Sequence, residues 1–169
     1  MQVDAYLQAP DSAEGWDNPL PQLARTLMTE RIGRCLCGAV RFTLSAEPLT
    51  VRVCWCRDCQ HLSANGTVNM IVPTSALAVT GPLSEHTKPA HSGNRITREF
   101  CSVCGTHLFA RSDARPQFRV VRIGNLDDRS SIRPQVNIWT ASAPEWACMD
   151  TALERVEQQP LPPSQPAQS

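Results

Sequence analysis

Seven of the chain's eight cysteines fall into three short clusters, Cys35-x-Cys37, Cys54-x-Cys56-x-x-Cys59 and Cys101-x-x-Cys104. Two thiolates one or two residues apart reach a single metal ion at about 2.3 Å, because a tight turn aims both sulfurs inward. Gly38 and Gly105 directly follow Cys37 and Cys104, and glycine supplies the positive φ that turns backbone amides toward such sulfurs. A closed structural zinc takes four sulfurs, which two of the pairs supply. Cys35, Cys37, Cys101 and Cys104 would make one tetrahedral site. Cys54, Cys56 and Cys59 would then remain as a local trio with an open fourth position, the arrangement a catalytic zinc keeps for water or substrate. This partition comes from counting. Spacing alone admits others, and a purely structural role for all seven stands beside it. Cys148, alone in EWACMD, reads as a packing residue.

The histidines carry less signal. His61 lies two residues after Cys59, within reach for shuttling a proton or bonding a metal-bound sulfur; it reads equally as a surface residue on a short helix. His107 is expected to pack beside the four-cysteine site, and His86 and His91 to sit in a polar loop.

The elements that must position these groups show a period of two. Val40, Phe42 and Leu44 alternate with Ala39, Arg41 and Thr43, and Val68, Met70 and Val72 with Thr67, Asn69 and Ile71. Phe118, Val120 and Arg122 interleave with Arg119, Val121 and Ile123, and Val136 and Ile138 sit among Gln135, Asn137 and Trp139. Turn signals separate the runs at Glu47-Pro48, Gly81-Pro82, Ser92-Gly93-Asn94 and Leu126-Asp127-Asp128. The pattern predicts an all-β antiparallel domain with very little helix, limited to a turn or two after Cys56 and a short piece near Thr151–Gln158.

Residues 28–158 read as one zinc-binding unit of a size that supports its own core. Residues 1–27, with Pro10, Pro19 and Pro21, read as a Pro-rich extension, and Met28 as an alternative start. Residues 159–169 form a Pro/Gln/Ser tail expected to be disordered. Sixteen basic residues balance sixteen acidic ones, which argues against a nucleic-acid partner. No apolar run approaches the roughly 20 residues of a membrane span, and the first residues lack a secretory pattern. The expected compartment is the cytoplasm, where thiols stay reduced and metal ligation outweighs disulfide pairing.

GRCLCGAVRF, CWCRDCQHLSA, FCSVCGTHLF and NIWTASAPEW together resemble the glutathione-dependent formaldehyde-activating enzyme family, which also includes centromere protein V. The resemblance spans about residues 30 to 148. It implies small stacked antiparallel sheets (a β-tent), a structural zinc on Cys35, Cys37, Cys101 and Cys104, and a catalytic, labile zinc on Cys54, Cys56 and Cys59. The activity it implies is that of a zinc-dependent carbon–sulfur lyase acting on a thiol–aldehyde adduct such as S-hydroxymethylglutathione; the alternative is a non-catalytic, zinc-stabilised protein-binding module. Small thiol and aldehyde are thus the expected partners, with glutathione as co-substrate. Glutathione carries two carboxylates, so cations near the trio are expected. Arg52 and Arg57 flank it, and Arg95 and Arg98 precede the third cluster. Arg57, Arg98 and Trp55 are the candidate ligand contacts, although Trp55 and Trp139 can each fill a core instead of walling a pocket.

Overall fold

The computed structural model describes residues 30–160. The expected extension over 1–27, the start at Met28 and the tail from 161 onward lie outside the described residues.

Eleven strands and one α-helix make up the described chain, in two sheets. The small sheet contains β1 (Arg31–Arg34), β2 (Arg41–Leu44) and β5 (Leu77–Thr80), all antiparallel. The large sheet has the order β11-β10-β3-β4-β9-β8-β7-β6. Its strands are β3 (Thr50–Cys54), β4 (Thr67–Pro73), β6 (Leu83–Pro89), β7 (Arg95–Cys101), β8 (His107–Ser112), β9 (Phe118–Arg122), β10 (Val136–Ile138) and β11 (Glu154–Val156). Helix α1 (Arg57–Ser63) follows β3 directly.

The alternation sorts side chains as expected. Phe42, Leu44 and Val40 of the small sheet meet Met70, Val72, Phe109 and Val121 of the large one in a single buried cluster. The Phe42 and Phe109 rings meet edge-on at 5.2 Å, the geometry their quadrupoles favour. Cys35 and Cys101 belong to this cluster, so the first sulfur site is built into the wall of the core. Cys54 and Cys59 form a second small cluster with Ile138, supported by Trp139 and Val156.

Four expectations are corrected. The piece near Thr151–Gln158 is a strand rather than a helix: Glu154–Val156 pairs with Val136–Ile138, and this edge position uses its backbone more fully than an isolated turn would. The sheet is not wholly antiparallel, since β10 runs parallel to both β3 and β11; each pair is joined by a long connection, which is what parallel neighbours require. His86 lies within β6, paired with Arg98 in register, and not in a loop. Cys148 is exposed instead of packed. In addition, the Gln159 side chain accepts a hydrogen bond from the Trp139 indole at 3.3 Å, so the expected tail begins with a residue the fold uses.

Across the β6–β9 part of the large sheet, Glu99 is buried between Arg111 and Arg119, and Arg111 also holds Glu85 at 2.8 Å. Truncating one member of a buried ion pair strands its partners. Glu99→Ala is therefore expected to cost about 3 kcal/mol in urea unfolding, and Glu85→Ala, at the exposed end, roughly 0.5 kcal/mol.

Three carboxyls sit below the usual range, among them Asp128, held down by hydrogen bonds from the Ser130 backbone and side chain. Burial pushes Asp58 up, but Lys88 and Arg98 more than offset it; the Arg111 hydrogen bond holds Glu85 down. A depressed folded pKa gives stability that is full above the unfolded value of about 4 and lost as pH falls through the folded one. The carboxylate contribution to the thermal midpoint should thus be level down to about pH 5 and fall away below about 4, so Asp58→Asn should show a shallower drop than the parent between about pH 5 and 3.

Candidate metal centres and recess

The first site forms where two turns meet. Cys35 and Cys37 lie after β1, and Cys101 and Cys104 at the end of β7. Their four sulfurs lie within 4.8 Å of one another, with Cys35–Cys37 at 3.5 Å and Cys37–Cys101 at 3.9 Å. Sulfurs at the corners of a tetrahedral zinc site stand about 3.8 Å apart, so the set fits such an ion. Gly38 and Gly105 have φ of 76° and 74°, the left-handed values that their turns require and that a Cβ would strain. The Val40 amide donates to the Cys35 sulfur at 3.2 Å, as metal-ligating thiolates require. Charge is unevenly shared among these sulfurs. Hydrogen bonds from the Thr106 hydroxyl and backbone hold Cys104 down at about 5. Cys37 is pushed up to about 12, because its bond from Ala39 is outweighed by Cys35 and Cys104. A divalent cation among them removes this competition by favouring every thiolate together.

The second site is local. Cys54 ends β3, Cys56 caps α1 and Cys59 lies inside the helix, and their sulfurs also lie within 4.8 Å of one another. The Cys56 sulfur accepts the Cys59 backbone N–H at 3.5 Å, standing where Ser or Asp stands in an ordinary N-cap. Neighbouring thiols and burial push Cys54 up, while hydrogen bonds from Cys54 and Cys56 bring Cys59 down, helped by the Arg122 charge and the Thr67 hydroxyl. Arg122 approaches the Cys59 sulfur at 3.9 Å, and bonds Thr67 at 2.9 Å and the Asn69 side-chain oxygen. Three soft donors with no fourth protein ligand among the described residues fit an ion that keeps one position open.

Beside the trio lies a concave surface of two adjoining chambers, with Ser92, Ile96 and Gln159 lining both. The chamber next to the trio is bordered by Cys56, Arg57, Arg98, His91 and Trp139. The farther one, about 650 Å³ including its open mouth, lies over Arg52, Ile71, Ala110 and Val120. Arg98 is buried and holds Asp58 at 2.6 Å, a carboxylate that Lys88 also bonds at 2.6 Å. The second terminal nitrogen of Arg98, Nη1, is buried without a partner. Arg57 bonds Gln60 at 2.5 Å from the exposed side of the helix.

Of the sequence candidates, Arg57 and Arg98 line the chamber. Trp55 does not: it is buried, with its indole N–H donating to Asn137 at 3.1 Å, and belongs to the core. His61 is exposed on α1, about 200° around the helix from Cys59 at 3.6 residues per turn, and lines neither chamber. Arg95 is exposed and pairs with Asp113 at 3.5 Å. His107, half-buried, packs against Phe100 at 5.4 Å with Nδ1 unpartnered.

Sequence reasoning missed Asp58, Thr67, Asn69, His91 and Arg122. Arg122 did leave a signal, as a cation on the same strand face as Phe118 and Val120. His91 left none, since its role depends on the hairpin tip between β6 and β7 meeting Trp139, ring to ring at 6.1 Å.

Among solved structures, a Rhodobacter sphaeroides protein from a structural genomics programme is 21% identical to this chain. The match covers 61% of this chain and 91% of that one, with a TM-score of 0.47. The comparison with curated proteins returns no match. A family model described as glutathione-dependent formaldehyde-activating enzyme matches residues 30–142, two thirds of the chain and every cysteine of both sulfur clusters. On that match and these two thiolate sites, the chain belongs to the glutathione-dependent formaldehyde-activating enzyme family.

Proposed function

We propose that the protein is a zinc-dependent carbon–sulfur lyase that interconverts S-hydroxymethylglutathione, or a close thiol–aldehyde adduct, with its free thiol and aldehyde. The observation that carries this reading is a three-sulfur cluster with one member, Cys56, on the wall of a cationic recess. A site that only held the fold together would have no need to open onto a chamber.

Cys35, Cys37, Cys101 and Cys104 hold the structural zinc; Cys54, Cys56 and Cys59 hold the second. When bound, the second ion stabilises a thiolate at neutral pH or polarises an aldehyde oxygen. The remaining work falls to the chain's own groups. Arg122 offsets the negative charge that three thiolates bring to the trio. Arg57 and the free Nη1 of Arg98 offer donors to the substrate's polar end beside Cys56.

In the cleavage direction the adduct's hydroxyl loses its proton as the C=O bond forms. The C–S bond breaks with its electron pair going to sulfur, and a proton returns to that sulfur to give the free thiol. His91, which lines the same chamber as Cys56 and Arg98, carries that proton. His61, expected from the sequence to do so, lines neither chamber.

Anaerobically purified protein should contain two zincs per chain, and Cys56→Ala should keep its fold, retain one zinc and lose glutathione binding by calorimetry. Unfolding of that variant, or absence of glutathione binding throughout, would make the trio structural and return the chain to the class of binding modules. Under saturating substrate, His91→Ala should slow turnover by about 100-fold, while His61→Ala should match the parent enzyme; the reverse order would move the proton to His61.

A further inference from the structure

The farther chamber contains charge that the fold does not use. Four arginines border it: Arg52, Arg111, Arg115 and Arg119. Arg111 and Arg119 are matched by Glu85 and Glu99. Arg52 and Arg115 are not. Neither side chain makes a hydrogen bond or ion pair with another described residue, and no Asp or Glu lines the chamber. Arg52 is half-buried on β3, two residues before Cys54. Arg115 is exposed on the turn between β8 and β9. Ile71, Ile96, Phe118 and Val120 supply apolar wall to the chamber, which lowers the dielectric beside Arg52 and strengthens its attraction for a counter-ion.

We infer that Arg52 and Arg115 form an anion clamp that takes a carboxylate of the substrate, remote from its sulfur. The identification of the ligand as a thiol conjugate rests on the lyase reading; the clamp itself rests on the two unmatched cations. Arginine suits this task, because its planar fork pairs with a carboxylate through two parallel hydrogen bonds. The two chambers adjoin, with Ser92, Ile96 and Gln159 lining both. A ligand lying across them places its sulfur near Cys56, one polar end at Arg57 and Arg98, and its distal carboxylate on the clamp. The substrate class is therefore a thiol conjugate with a carboxylate several bonds beyond the sulfur-bearing residue, and small thiols without one, such as cysteamine, bind poorly.

S-methylglutathione tests the clamp independently of the chemistry, since its sulfur is blocked. Calorimetry on the zinc-loaded protein should show about tenfold or more weaker binding for Arg52→Gln and for Arg115→Gln, with zinc content and thermal midpoint unchanged and Arg52→Lys intermediate. Esterifying the clamped carboxylate should weaken binding to the parent protein by the same factor and cause no further loss in Arg52→Gln. Parent-like binding by both variants, or full affinity for both mono-esters, would overturn the clamp. Arg52-dependent binding without turnover of S-hydroxymethylglutathione would instead remove the lyase reading and leave the clamp standing.

Discussion

The meeting of two turns distant in sequence governs the rest of the molecule. Cys37 and Cys101, 64 residues apart, bring their sulfurs to 3.9 Å, while Cys35 and Cys101 are themselves buried in the main hydrophobic cluster. The cluster thus binds the small sheet to the β7–β8 corner of the large one. Four thiolates this close repel one another, and a divalent cation among them offsets that repulsion. The aromatic content is only 5%, and a structural ion of this kind contributes folding free energy outright. An ion held by these four sulfurs would supply stability that larger cores draw from packing.

Once that corner is fixed, the two faces of the large sheet diverge. One face packs on β1, β2 and β5 and is apolar where they cover it. The opposite face carries Arg52, Cys54, Thr67, Asn69, Arg122 and Arg98 on neighbouring strands in register. Polar groups there are covered by α1, by the β6–β7 hairpin tip and by the segment around Trp139. Burying polar groups is costly unless each finds a partner. Asp58, Thr67 and Asn69 do find partners within the site, and two of the buried atoms left without one, Arg98 Nη1 and Ser112 Oγ, belong to residues that line the recess.

Much of this was legible in the residues. Counting ligands separated seven sulfurs into the two sets that the structure assembles, and period-two alternation placed the core members of β2 and β4. In and just after β9 it did not tell the core face, Val121 and Ile123, from the recess face, Phe118 and Val120. Local rules failed where position depends on distant chain. Thr151–Gln158 has no periodicity that distinguishes a helical turn from a three-residue edge strand, and its state is decided by β10 beside it. Trp55 looked like a pocket wall because it lies between two ligands, yet its pairing with Asn137, 82 residues away, holds it inside. Alternation also identified Thr67, Asn69 and Asn137 as the polar side of their strands. It did not show that this side is roofed, because the roof comes from α1 and from loops that meet only in three dimensions.

The parallel pairing of β10 has a consequence for the order of assembly. Strands β6 to β9 are successive antiparallel neighbours, contacts that close short loops and form early. β10 joins β3 only after the whole intervening chain is in place, so it docks late. Ile138, Trp139 and Val156, which shield Cys54 and Cys59, arrive with it. During synthesis and refolding the trio therefore passes through an interval in which its thiolates are open to oxidants. Recovery of active protein should accordingly depend on a reducing medium during folding more than on one afterwards.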